Sequence, residues 1–244
     1  MNQILDNPSF QTAQSQTVAR QFFAKVYAFM FGALLISGGI AYQFGTEAFF
    51  EEYFVTPATL HSPASLSPLF YIIAFAPLGL ALLMQTMINR LSYPVLILLF
   101  ASFSILLGLS LTTIFLQYST LSIVSTFFVT AGSFAGMAIL GYTTKIDLTK
   151  FGSLLYMAFI GIFIAGIVNM FVESDGLGFV ISVIGVFVFT GLTAYHMQQL
   201  KEVAFNTAIP EKDRNKMALI GGLTLYILFV NLFLSLLRLL GGRE

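Results

Sequence analysis

An all-α integral membrane protein with seven transmembrane helices is the fold class this sequence predicts, and three observations predict it. Of its 244 residues 57% are hydrophobic and only 9% charged, with a mean hydropathy of +0.89, where a soluble domain carries charge on about a quarter of its residues. The apolar residues gather into seven runs of the length needed to cross about 30 Å of hydrocarbon, roughly 20 residues at ~1.5 Å each. Lys and Arg alternate from loop to loop, as the positive-inside bias requires.

The residues from Met1 to Val18 are polar and lack the apolar stretch of a cleaved signal, so residues 1–21 read as an N-terminal tail. The spans follow at 22–43, 68–88, 94–116, 122–142, 152–172, 177–199 and 217–240, so that 22–240 is one transmembrane domain and 241–244 a short C-terminal tail. Nothing from Leu91 to Thr144 is charged, so the third and fourth spans are expected to form a hairpin with a short turn around Gln117 to Thr120.

Arg20 and Lys25 stand at the first span, Arg90 between spans two and three, Lys145 and Lys150 between four and five, and Lys201, Lys212, Arg214 and Lys216 between six and seven. The other three loops carry only Glu47, Glu51, Glu52, Glu173 and Asp175. This alternation puts the N terminus in the cytoplasm. Arg238 at the end of the last span and Arg243 after it stand on the outer side against the bias, which leaves open a seventh helix that re-enters and returns, although it is long enough to cross.

The loop from Thr46 to Pro68, with its Glu cluster, reads as a flexible cap. In span four Gly132, Gly136, Ala138 and Gly141, and in span five Gly161, Ala165 and Gly166, read as small residues that let neighbouring helices of the same chain approach closely.

The composition also excludes classes. Eleven Lys and Arg balance eleven Asp and Glu, so no basic field attracts nucleic acid, and the absence of Cys removes disulfides, thiolate metal sites and Cys nucleophiles. Zinc-protease, nucleophile-elbow and phosphate-loop motifs are missing, as is an intramembrane pair of carboxylates; no enzyme, cofactor or metal site is expected. The polar groups left within or beside the spans are Gln85, Asn169, His196, Gln198, Gln199 and Asn231, with His61 in a loop. His196 lies five residues before Lys201, about 7 Å from the end of its helix. A neutral imidazole with an ordinary pKa near 6.5 can sense pH there, or simply reach headgroups or a neighbouring helix. Asn169 and Asn231 are pore candidates, or amides that bond between helices at about 0.6 kcal/mol each.

Three stretches carry a resemblance. Phe189-Thr-Gly-Leu-Thr-Ala-Tyr195 with Gln198, Leu200 and Lys201, Ser125-Thr-Phe-Phe-Val-Thr-Ala-Gly132 with Gly141-Tyr-Thr-Thr-Lys145 and Asp147, and Leu223-Thr-Leu-Tyr226 with the run Asn231 to Gly241 together resemble the Bax inhibitor-1 family, in its bacterial branch. The resemblance implies six helices surrounding a central C-terminal helix, a bacterial inner-membrane location, a pH-sensitive calcium leak in some relatives and regulation of a membrane-bound quality-control protease in others. It also implies two aspartates, at positions that here are His196 and Leu228. Calcium seeks several oxygen ligands and the compensating charge of carboxylates, which imidazole and isobutyl groups do not supply. The expectation is a weak cation leak without the two-aspartate pH sensor, or a non-conducting partner of other membrane proteins such as that protease.

Overall fold

The computed structural model describes residues 8–58 and 64–242, with side chains from Ser15 onward; His61 and Arg243 lie outside the described residues. Among the described residues, seven helices are long and apolar enough to cross a membrane. The chain is an all-α, multi-pass membrane protein. Its contacts fall into two compact units, one made of α1 up to Tyr27 with Val124–Gly241, the other of Ala28–Ile123 with Gly242.

In the second of these units, α1 (Pro8–Phe44) runs out into a short helix α2 (Glu47–Phe54), and a ribbon of β1 (Val55–Thr56) and β2 (Ser65–Leu66) returns the chain to α3 (Pro68–Thr86). The strands are antiparallel, with Val55 opposite Leu66. Thr46 caps α2 by accepting the Phe49 amide at 3.3 Å. Ser67 caps α3 through the Phe70 amide and donates its hydroxyl to the Tyr53 carbonyl at 2.9 Å. Capping satisfies amides that a helix start leaves open, and here it also ties the ribbon to the helices. Of the segment expected to be a flexible cap between Thr46 and Pro68, the described residues 46–58 and 64–68 hold this capped helix and the two-stranded ribbon.

Pro77 sits inside α3, buried. Proline has no N–H, so the carbonyl four residues back, that of Ile73, loses its helical partner. The hydroxyl of Ser110, at the end of α4 (Tyr93–Ser110), donates to that carbonyl at 2.8 Å. This one bond joins α3 and α4 at the proline. A 3₁₀ turn (Leu111–Thr113) and α5 (Ile114–Gln117) finish the third span before α6 (Thr120–Thr143), so the predicted turn falls at Tyr118 and Ser119.

The first-named unit is built on α6, α7 (Thr149–Val172), α8 (Asp175–Phe205) and α9 (Glu211–Leu240). Helix α9 is continuous over its 30 residues, roughly 45 Å, which favours crossing over the re-entrant alternative. Helix α8 packs along α9 and also against α7. Phe127 and Phe134 of α6 meet the ring of Phe229 edge-on at 5.4 and 5.5 Å. A Cβ on Gly185 would lie 2.7 Å from Ser235 Oγ, and one on Gly141 would overlap the backbone of Ala194. At these two glycines helices approach closely, the association mode expected where water expulsion is unavailable.

Four of the other glycines do not serve that purpose, whereas Ala138 of the same stripe is buried. A Cβ at Gly132, Gly136, Gly161 or Gly166 would meet nothing within 4 Å. Spacing marked a stripe; it did not tell which stripe faces a helix and which faces lipid. Helix α1 begins at Pro8, so the described part of the stretch read as an N-terminal tail is helical. Polar residues can continue a helix outside the hydrocarbon, so a hydropathy boundary is not a helix boundary.

Candidate functional site

The polar groups of the α8 sequence from Tyr195 to Lys201 converge on the connection between α6 and α7. Residues three and four apart share a helix face, and Gln198 and Lys201 are so spaced. The Gln198 carboxamide grips the connection at two points, its Nε2 donating to the Ile146 carbonyl and its Oε1 accepting from the Leu148 amide, each at 2.8 Å. Lys201 Nζ donates to the Tyr142 carbonyl at 2.7 Å and lies 5.0 Å from the centre of the Tyr142 ring. That carbonyl belongs to the last turn of α6, where helices leave acceptors unsatisfied and favour cations.

The connection is also braced from within. Asp147 accepts from the Thr149 hydroxyl at 2.5 Å and from the Thr149 amide at 3.0 Å. These two donors, the hydroxyl first, and then the nearby Lys150 charge hold the exposed Asp147 carboxyl below the usual carboxylate range.

One turn before Lys201 the side chains are aromatic. His196 Nε2 and the Tyr156 hydroxyl are hydrogen-bonded at 3.0 Å, joining α8 to α7. The His196 ring meets Tyr156 and Tyr195 edge-on, at 5.9 and 5.2 Å. The Tyr195 hydroxyl accepts from Gln199 Nε2 at 2.6 Å, and its ring covers Gly152, where a Cβ would come within 2.7 Å of ring carbon. Neighbouring basic residues are likewise used as ties. Lys25 Nζ donates to Asn215 Oδ1 at 2.7 Å, and Arg214 Nη2 bridges the Asn206 and Ile209 carbonyls at 2.9 and 3.0 Å.

Of the pH-sensing and pore candidates His196, Asn169 and Asn231 and the second aspartate position Leu228, His196 alone belongs to this cluster, beside Gln198, Gln199 and Lys201, which the sequence also singles out. Leu228 is buried in α9. Helices α8 and α9 run antiparallel with Gly185 beside Ser235 and Gly221 beside Leu200, which sets Leu228 level with Leu192, about 6 Å along the axis from His196. Asn169 lies thirteen residues from Tyr156 at the other end of α7, about 20 Å away. Its Oδ1 accepts from the Ser174 amide at 3.2 Å while its carbonyl accepts from Glu173, the left-handed residue that ends α7. Asn231 Nδ2 donates back to the Ile227 carbonyl of its own helix at 2.8 Å. The interhelical amide bonds expected of these two residues are thus replaced by local ones. Short amide side chains reach their own backbone more readily than a neighbouring helix.

Tyr156 and Gly152 were not singled out in the sequence, and Tyr195 and Tyr142 only as members of the family-like motifs. The available signal was the i, i+4 placement of Gly152 and Tyr156 at the start of an otherwise apolar span. Among the described residues, no group of three or more His, Asp or Glu could hold a metal ion together.

The three family-like motifs, in α6 and its following loop, at the end of α8 and in α9, lie within residues 19–244, which match the family described as "Inhibitor of apoptosis-promoting Bax1". The chain belongs to the Bax inhibitor-1 family. It is similar to Inner membrane protein YbhL of Escherichia coli strain K12, 40% identical over 235 residues that cover 95% of each chain. An uncharacterized protein of Borreliella burgdorferi is 41% identical over 234 residues, 96% of this chain and 97% of that one. An uncharacterized membrane protein of Streptococcus pyogenes is 31% identical over 233 residues, 95% of this chain and 96% of its own. In this Bax inhibitor-1 family member, the end of α8 is the clamp on the α6–α7 connection.

Proposed function

We propose that this protein is a bacterial inner-membrane member of its family, with its N terminus in the cytoplasm, that passes cations weakly and without a two-aspartate pH sensor. The observation that carries the reading is the pairing of His196 with Tyr156 at 3.0 Å, at a position where the family resemblance calls for an aspartate, while Leu228 at the second such position is buried. A phenol and an imidazole offer calcium neither the oxygen number nor the charge of two carboxylates. The name of the Escherichia coli relative supports the inner-membrane location, and the alternation of Lys and Arg supports the orientation.

Calcium entry into liposomes containing the purified protein and a calcium dye, followed across pH, tests this. The expected result is a small flux whose acid response disappears in His196→Ala. A strong flux with a sharp pH response that survives His196→Ala overturns it.

A second reading, a non-conducting partner of other membrane proteins such as a quality-control protease, draws on a separate observation. Only 6% of the most apolar stretch of α7 is buried, which leaves a long helix face available to another transmembrane helix. Cross-linking from the loop between Lys201 and Lys216 in native membranes separates the two readings: a stable partner together with no liposome flux supports the second.

A further inference from the structure

The segment between the first two spans carries an interaction surface that the leak reading does not use. Helix α2 begins three residues after α1 ends at Phe44. The corner is tight: a Cβ on Gly45 would lie 2.6 Å from the Ala41 carbonyl oxygen and 2.8 Å from Phe115 Cβ. A helix tied so closely to the end of a membrane span cannot leave the level of the interface. Its sequence Glu-Ala-Phe-Phe-Glu-Glu-Tyr-Phe, at about 100° per residue, puts Phe49, Phe50, Tyr53 and Phe54 on one half of the helix and Glu47, Glu51 and Glu52 on the other.

The aromatic half has two edges. Phe54, buried, packs edge-on against Phe70 of α3 at 5.6 Å, with Phe50 beside it at 5.7 Å. These rings form a small core that fixes α2 to α3. On the other edge Phe44, Phe49 and Tyr53 form a row, with centroids 5.0 and 4.8 Å apart. Phe44 and Tyr53 remain 39% and 45% exposed, as do Tyr71 at 43% and Tyr42 at 69% on the adjoining ends of α3 and α1. Aromatic rings concentrated where spans meet water form the belts that sit at headgroup level, and a helix with an apolar and a charged face lies in that plane. The three carboxylates are exposed, and the segment from Thr46 to Ser67 has no Lys or Arg.

We propose that α2 and its ribbon are an interfacial foot: the row Phe44, Phe49 and Tyr53 rests in the boundary between headgroups and acyl chains, and Glu47, Glu51 and Glu52 face water. The occupant of the exposed aromatic edge is the lipid surface, because the edge continues the lipid-facing rings of α1 and α3 and is bounded by the position of their ends. The acidic half makes a zwitterionic leaflet the matching partner, since anionic headgroups would repel it.

The chain contains no Trp, so Tyr53→Trp makes a protein with a single indole reporter. It is reconstituted in phosphatidylcholine vesicles containing lipids brominated either near the carbonyls or near the chain ends. Tyr53→Trp should be quenched several-fold more by shallow than by deep bromines, and several-fold more than Glu51→Trp on the water-facing half. Phe49→Trp, one turn earlier on the same edge, should give the same depth profile and serves if either variant fails to fold. Replacing part of the phosphatidylcholine by phosphatidylglycerol should not increase the quenching. Indoles at both positions that emit as in water and are quenched by iodide instead of lipid overturn the proposal. So does protection from lipid and iodide alike, which would mean that protein covers this edge, and so does quenching that rises with phosphatidylglycerol.

Discussion

Helices α7 and α9 have the same mean hydropathy over their most apolar stretches, 2.2, yet 6% of that stretch is buried in α7 and 67% in α9. A helix that is apolar all round can sit inside a protein or stand in lipid, and hydropathy does not choose between them. Different devices hold the two. Helix α9 is held along its length, by Phe127 and Phe134, by α8 and by the Lys25–Asn215 bond. Helix α7 rests on α8 and is tied mainly at its ends, by the Gln198 clamp and Asp147 at one and by Asn169 at the other, with the Tyr156–His196 bond two turns in. The rest of the chain therefore leaves most of α7 uncovered, and the contrast between the two helices can be broken by substitution.

The largest effect is expected from deleting the same kind of side chain in each. Leu228→Ala, at a position 4% exposed, should lower stability by about 2–5 kcal/mol, the range for cavities that neighbours cannot refill. Ile160→Ala in α7, at a position 54% exposed, should cost only a few tenths of that, because lipid fills the space. Unfolding by sodium dodecyl sulfate in mixed micelles measures both; equal losses would remove the distinction.

Glycines sharpen it. Gly141→Ala drives a Cβ into the Ala194 backbone and should cost about 1–3 kcal/mol, the usual range for overpacking. Gly161→Ala meets nothing within 4 Å and should be neutral or stabilising by up to about 1 kcal/mol, the helix-propensity gain. A smaller loss, about 1 kcal/mol, is expected of Gln198→Leu, which removes both bonds to the α6–α7 connection while keeping the side-chain size. Faster hydrogen exchange at Leu148 is the specific readout.

The contrast also explains what the sequence could reveal. The seven spans were legible because each is a long apolar run, and span three, predicted at 94–116, ends within one residue of the helical stretch Tyr93–Gln117. The end of α8 stood out as a polar stretch, but not what it holds, because Gln198 continues the helix toward the hydrophobic boundary to reach Leu148 fifty residues earlier and Lys201 reaches Tyr142 in α6. His196 stood out as an imidazole near the end of a span, but its partner Tyr156 lies forty residues away and looks like any interfacial aromatic. Hydrophobic runs report the solvent. Partners depend on which faces meet, and Gly141 and Gly161, alike in sequence context, meet opposite surroundings.

The smallest effect concerns the end of α7 where Asp147 meets Thr149. The Thr149 hydroxyl and amide stabilise the ionised Asp147 carboxylate, so its pKa is lower in the folded chain than in the unfolded one. For a depressed carboxylate the stabilisation is complete above the unfolded pKa and is lost as pH falls through the folded one. The difference in stability between the native chain and Asp147→Asn should therefore be constant at neutral pH, begin to shrink once the unfolded carboxyl protonates, and vanish only below the folded pKa. Thr149→Val removes the hydroxyl but keeps the amide, and should raise the Asp147 pKa part of the way to its ordinary value, as carboxyl carbon shifts would report. Because Asp147 is exposed to water, the effect on stability should be slight compared with Leu228→Ala. A loss from Asp147→Asn as large as that from Leu228→Ala would mean that the end of α7, and not burial along a helix, sets the stability of this unit.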